Sequence, residues 1–127
     1  MENLNFYYEN LANSLKLLAI IDRDNLDRIV KEYPKFCDIP FEVCDSYLKV
    51  FSLTPSLIDN EYFDLKTIAN LIRLYMLVEV LIADASLNKE SEEVFFSNPK
   101  WIRISQIAKK ILQQINIPLN YPEFKHL

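Results

Sequence analysis

The 127-residue sequence contains no glycine, where ordinary usage would supply about 7%. Glycine takes positive φ without a steric cost, so tight hairpins, glycine C-caps and phosphate-cradling loops are all disfavoured. The dinucleotide and P-loop fingerprints are excluded outright, because their glycines let backbone approach phosphate. What remains favoured is a chain of helices joined through Asn, Asp, Ser and Pro. Histidine is nearly absent too: the one example, His126, stands next to the last residue. Histidine-based acid–base catalysis therefore has no seat. Cysteine is limited to Cys37 and Cys44. Two thiols with no histidine beside them do not complete a four-ligand zinc site, and neither has an identifiable base to make it a nucleophile. A disulfide across Pro40 is sterically conceivable, but without a secretion signal reduced, core-packed thiols are expected. The start, MENLNFYYEN, has no basic segment followed by an apolar one, and no uncharged apolar run approaches the ~20 residues that span a bilayer. The expectation is a cytoplasmic protein without membrane contact.

What is present is a globular balance, 50% hydrophobic and 25% charged, at a length suited to one core without disulfides or metal. The spacing predicts an all-α fold: a compact single-domain bundle of five or six helices spanning residues 1–127. Leu4, Tyr8, Leu11, Leu15 and Leu18 fall on one face of a first helix, and Leu26, Ile29, Val30 and Tyr33 on a second that Pro34 should end. Pro40 opens a third helix with Phe41, Cys44, Tyr47, Leu48 and Phe51 on one side, a strand over FEVCD being the alternative. Thr54 reads as the cap of a short helix with Pro55 in its first turn. Asp64 should cap a long helix to about Ala85, expected to be the buried centre of the bundle. A short acidic helix in NKESEEVFF follows. Asn98 and Pro99 open a last helix with Trp101, Ile104, Ala108, Ile111 and Ile115 inward. The tail, about 116–127, should be extended, returning over the bundle through Tyr121 and Phe124.

The stretch YMLVEVLIAD places Glu79 inside an apolar run. At about 100° per residue, Glu79 lies about 145° from the strip of Lys66, Asn70, Arg73 and Asp84. Its neighbours on the helix are Leu65, Ile68, Ile72, Tyr75, Ile82 and Ala83, which predicts burial. A buried carboxylate needs a partner or a proton, so Glu79 is either a structural hydrogen-bonding group or an acid, base or ligand anchor.

The charge is polarised. Asp22 to Asp64 holds ten acids against five bases, Asp84 to Glu93 four against one, and Lys100 to Leu127 five bases against one acid, within a net charge of −4. The basic end is too slight, in an acidic protein, to predict nucleic-acid binding. Pairing with the acidic loops is its expected use. Asp22 and Asp24 resemble the start of a calcium loop, but the sixth position is Asp27 rather than glycine and the twelfth is Tyr33 rather than glutamate. No metal or cofactor is expected, and no pair of carboxylates can be placed for catalysis. The acids Asp22, Asp24, Asp27, Glu32, Asp38, Glu42, Asp45, Asp59, Glu61 and Asp64 interleave with aromatics including Tyr47 and Tyr62. Acids steer a basic partner and aromatics anchor it; the competing reading has the aromatics in the core and the acids solvated.

In DRDNLDRIVKEYPKFCDIPFEVCDSY and IDNEYFD, and in its size, the chain resembles the small acidic immunity proteins of bacterial toxin–immunity pairs, including those of contact-dependent growth inhibition. The resemblance implies a non-enzymatic protein that binds one cognate toxin, often a basic nuclease domain, and blocks it. A helical adapter whose basic last helix pairs with another chain is the alternative, and a ligand-binding protein using Glu79 is a third.

Overall fold

The computed structural model describes residues 3–22, 26–32, 38–84 and 92–120. These form α1 (Leu4–Ile20), α2 (Leu26–Glu32), α3 (Ile39–Phe51), α4 (Thr54–Asp59), α5 (Leu65–Ala83), α6 (Glu92–Ser97) and α7 (Pro99–Gln114), with no strand among the described residues. The fold is all-α, and FEVCD is helical. Several starts follow local chemistry. Asn3, Asp38, Asp64 and Asn98 each accept a backbone N–H at their helix N-terminus, the role short polar side chains fill there. Thr54 departs from expectation: it is the first residue of α4, its hydroxyl is buried without a partner, and Leu53 occupies the cap position.

The long helices form a ring in which α1 packs on α3 and α7, and α5 packs on the same two. The helices α1 and α5 therefore stand at opposite corners. Both run antiparallel to α7. At one end Trp101 Nε1–H donates to the Ile21 carbonyl (2.9 Å) and Ser105 Oγ to that of Ala19 (3.0 Å). Along α5, Asn70 Nδ2 donates to Gln114 Oε1 (3.2 Å), and Lys100 lies 3.7 Å from Asp84. The enclosed core includes Leu11, Leu15 and Leu18 of α1, Val43 and Tyr47 of α3, Leu71, Leu74 and Val78 of α5, and Trp101, Ile104, Ala108 and Ile111 of α7. Phe95 and Phe96 of α6 pack against the Trp101 ring, with centroids 5.8 and 4.9 Å away.

The expected buried central helix is not found: α5 is a corner helix. Its inward residues are Thr67, Asn70, Leu71, Leu74, Val78 and Leu81; of the side first read as the core side, Ile68, Tyr75 and Ile82 are half-buried against the core, while Leu65, Ile72, Glu79 and Ala83 face outward. The helix is apolar almost all round, so periodicity could not decide which face the ring would cover.

Helix C-termini are closed without glycine. Glu61 (φ 62°) and Asn116 (φ 57°) take the left-handed conformation after α4 and α7. In each case two backbone bonds return to the last turn: Tyr62 N–H to Leu57 (3.1 Å) and Glu61 N–H to Ile58 (3.0 Å), Ile117 N–H to Leu112 (2.9 Å) and Asn116 N–H to Gln113 (3.2 Å). Both are Schellman motifs. The C-terminal segment is described only to residue 120, beyond α7 and non-helical from Ile117, so the expected return through Tyr121 and Phe124 lies outside the described residues.

Trp101→Phe, which keeps a ring but loses the N–H, should lower the unfolding free energy by about 1 kcal/mol, read as a lower denaturant midpoint at unchanged slope. Glu61→Gly should raise the unfolding free energy by up to about 1 kcal/mol, read as a higher midpoint, because a non-glycine residue carries a left-handed penalty of that order.

Candidate interaction surfaces

Polar and apolar groups collect at three places. The first is α3. Asp38, Glu42, Asp45 and Lys49 follow one another along one strip of this helix, with Phe41 beside them at 48% exposure. Asp38 is held as the N-cap, its Oδ1 accepting from Phe41 N–H at 3.2 Å, and Asp45 pairs with Lys49 at 2.9 Å. That hydrogen bond, with the charges of Asp45 and Glu42, raises the Lys49 pKa. Glu42 and Asp45 are half-exposed, and Asp38 is exposed. Beneath it Cys44 is free and buried, its thiol pushed up to about 12 by burial and then by the negative charges of Asp38 and Asp45. It is the core thiol expected; Cys37 lies outside the described residues.

The second place is an open cleft of about 290 Å³ where α1, α5 and the end of α7 meet, lined by Tyr8, Tyr62, Phe63, Asp64, Thr67, Gln114, Ile115 and Asn116. The Tyr8 ring lies 5.5 Å from Tyr62 and stacks on Phe63 at 6.0 Å. Burial, then the nearby Tyr62, raises the Tyr8 pKa. Asp64 is committed to its cap, accepting from Thr67 N–H at 2.8 Å, and hydrogen bonds from the Thr67 hydroxyl and backbone hold its carboxyl below the usual range.

The third place was not anticipated. Along the outer side of α5, Leu65, Ile72, Met76 and Val80 are 84, 46, 60 and 59% exposed, with Ala69 half-buried and Ala83 exposed in line. Glu79 stands at the edge of this stripe and is exposed, which corrects the expectation of a buried carboxylate. The side chain of Tyr75 hydrogen-bonds to it, raising the tyrosine pKa. Glu79 is thus a hydrogen-bonding group, but at the surface and with a partner one turn away on its own helix.

The remaining acids do not form one face with the α3 strip. Asp59, Glu61 and Asp64 are exposed around the α4–α5 junction, past the far end of α3, which is about 20 Å long. Asp22 and Asp27 are exposed near α1 and on α2. Asp24 and the Glu32 side chain lie outside the described residues. Tyr47 is no contact residue: it is fully buried, its hydroxyl donates to the Leu71 carbonyl at 2.7 Å, and burial raises its pKa. Tyr62 is half-buried in the cleft. Asp84 lies against Lys100, the pairing foreseen between the basic helix and an acidic segment, while the side chains of Glu90, Glu92 and Glu93 are outside the described set. No group of three or more His, Cys, Asp or Glu that could hold a metal occurs among the described residues, and none of the described helices is long and apolar enough to cross a membrane.

Glu79→Gln should leave stability within about 0.5 kcal/mol of the parent, as surface substitutions do, measured by chemical denaturation. The Cys44 thiol gives a second expectation. Its folded pKa lies above the free value of 9.0, so its contribution is complete below pH 9 and is lost as pH rises from about 9 through about 12. In native protein at pH 8 Cys44 should resist alkylation by iodoacetamide and react on unfolding, a difference that peptide mass spectrometry reads directly. Comparison with protein-family models, with curated proteins and with solved structures finds no significant match in any of the three.

Proposed function

We propose that this chain is a non-enzymatic binding protein, and most specifically an immunity protein of the bacterial cytoplasm that neutralises a cognate basic toxin, such as a nuclease domain, by direct contact. The observation that carries the reading is the α3 strip, where Asp38, Glu42 and Asp45 surround the exposed ring of Phe41. Acids attract a basic surface over several ångströms and raise its association rate, and an exposed aromatic supplies the apolar contact that slows dissociation. Asp59, Glu61 and Asp64 widen the negative field without adding a second strip. The Tyr47 ring, buried in the core, drops out of the contact set, and Glu79, at the surface beside Tyr75, no longer motivates a ligand pocket.

The test is to co-purify the untagged protein with the tagged product of the neighbouring reading frame and to assay growth. The expected result is a stoichiometric complex and rescue from a toxic neighbour. Association should slow as salt rises, Glu42→Lys should slow it about threefold to tenfold at low salt, and Phe41→Ala should speed dissociation by about tenfold or more. A complex indifferent to salt and to both substitutions would remove α3 as the contact. Absence of toxicity and of any complex would leave the second reading, a helical adapter, which the exposed apolar side of α5 and the exposed cations Lys100, Arg103, Lys109 and Lys110 of α7 favour.

A further inference from the structure

The outer side of α5 is organised as a helix-packing surface. Leu65, Ala69, Ile72, Met76, Val80 and Ala83 succeed one another at steps of four, three, four, four and three residues, the spacing that keeps apolar side chains on one line of a helix. Nineteen helical residues make this line about 28 Å long. The helix α7 is the contrast, since its outer positions Lys100, Arg103, Gln106, Lys109, Lys110 and Gln113 are polar and exposed and Ile102 alone interrupts them. Water is the expected neighbour of α7 but not of α5.

The flanks of the stripe say what fits it. Arg73 and Glu79, both exposed, lie about 60° to either side of its centre, and six residues of helix put them about 9 Å apart along the axis. A two-fold axis parallel to α5 brings the Arg73 flank of one copy against the Glu79 flank of the other, and repeats that pair by symmetry. A two-fold axis perpendicular to the helices, which would make them antiparallel, sets Arg73 beside Arg73 and Glu79 beside Glu79. The parallel arrangement also stacks each apolar residue on its own counterpart, from Leu65 to Ala83, in an isologous contact. Arg73 donates one N–H to Asn70 Oδ1 at 2.9 Å and Glu79 accepts from the Tyr75 hydroxyl; the guanidinium keeps further donors and the carboxylate further acceptor positions for a pair across the seam.

We propose that the occupant of this face is a second copy of the chain, packed through α5 in parallel about a two-fold axis, with Ile72, Met76 and Val80 at the centre and Arg73–Glu79 pairs on both edges. The contact uses a different helix from the α3 acids and stands without the toxin-neutralising reading.

Sedimentation equilibrium of the full chain over micromolar to millimolar concentration tests this. The expected result is a reversible dimer. Met76→Glu, at an exposed position, should leave circular dichroism and, at dilutions where the parent is monomeric, the denaturation midpoint unchanged while weakening the dimer by about a hundredfold, because it places two carboxylates in an apolar seam. Arg73→Glu and Glu79→Arg should each weaken it about threefold to tenfold, and the two combined should restore it. A monomer at every concentration would overturn the proposal and leave the stripe to a different protein's helix. A dimer insensitive to Met76→Glu would place the contact elsewhere. A dimer lost in Met76→Glu but unmoved by either charge reversal would overturn the parallel arrangement. None of these outcomes depends on whether a toxin binds.

Discussion

The ring closes where α7 begins. The last carbonyls of a helix have no partner within it, and in α1 two near that end, of Ala19 and Ile21, are taken by side chains that α7 delivers, the Ser105 hydroxyl and the Trp101 indole N–H. The same indole is enclosed, with the Phe95 ring tilted against it and the Phe96 ring edge-on to it. One residue thus satisfies a buried polar atom, fills the largest single core volume and fixes the entry of the last helix. With α7 held there, its antiparallel course brings Gln114 to Asn70 and Lys100 to Asp84, which sets the height of α5. The position of every surface discussed above follows from that placement.

The absence of glycine shapes the opposite end. Two chain reversals there need positive φ, and Glu61 and Asn116 supply it against a steric cost that the returning backbone bonds offset. Because α4 and α7 both end in this way beside Tyr8, their two caps leave the open cleft between Tyr62 and Asn116. Its polar lining is already engaged in part: Asp64 and Thr67 bond to each other, and Gln114 to Asn70. The cleft is therefore better accounted for as the seam between two helix ends than as a site built for a ligand.

How much of this was legible in the sequence depended on contrast between helix faces. In α7 the polar and apolar sides are separated except at the exposed Ile102; of the expected inward set Trp101, Ile104, Ala108 and Ile111 are buried, and Ile115, at the C-cap, is half-buried. The caps Asp64 and Asn98 were legible because a short polar side chain before an apolar period has one favourable use. Thr54 misled because it stands one residue inside the helix: Leu53 holds the cap position without a side-chain cap bond, and the threonine hydroxyl is buried. Tyr47 was placed correctly by its helical phase and wrongly by its acidic neighbours, for sequence adjacency to Asp45 says nothing about which side of α3 faces out. In α5 the reading turned the helix by about a third of a revolution, leaving Ile68, Tyr75 and Ile82 half-buried against the core but Leu65 and Ile72 outside. Its most continuous apolar side was assumed to be the buried one, whereas the ring covers the side holding Asn70 and Thr67, whose polar groups are satisfied by Gln114 and Arg73 and by Asp64.

That turn of the helix carries a physical consequence. A helix in a ring of four needs only one apolar stripe, and a second on the outside lowers solubility and favours association through exposed apolar area. The inner face of α5 is complete without it, since Leu71, Leu74, Val78 and Leu81 are wholly buried. Folding of the single chain therefore gains nothing from Ile72, Met76 and Val80 being apolar, and charged residues there would serve the monomer better. Glu79 and Arg73 are the kind of substitution such a surface would tolerate throughout, yet they stand only at its margins, about 60° off the line on opposite sides. An apolar line bordered by one acid and one base is the pattern expected where a second helix is to be admitted in a chosen direction. The glutamate that looked anomalous inside an apolar run is then ordinary, and it is the run that needs a partner.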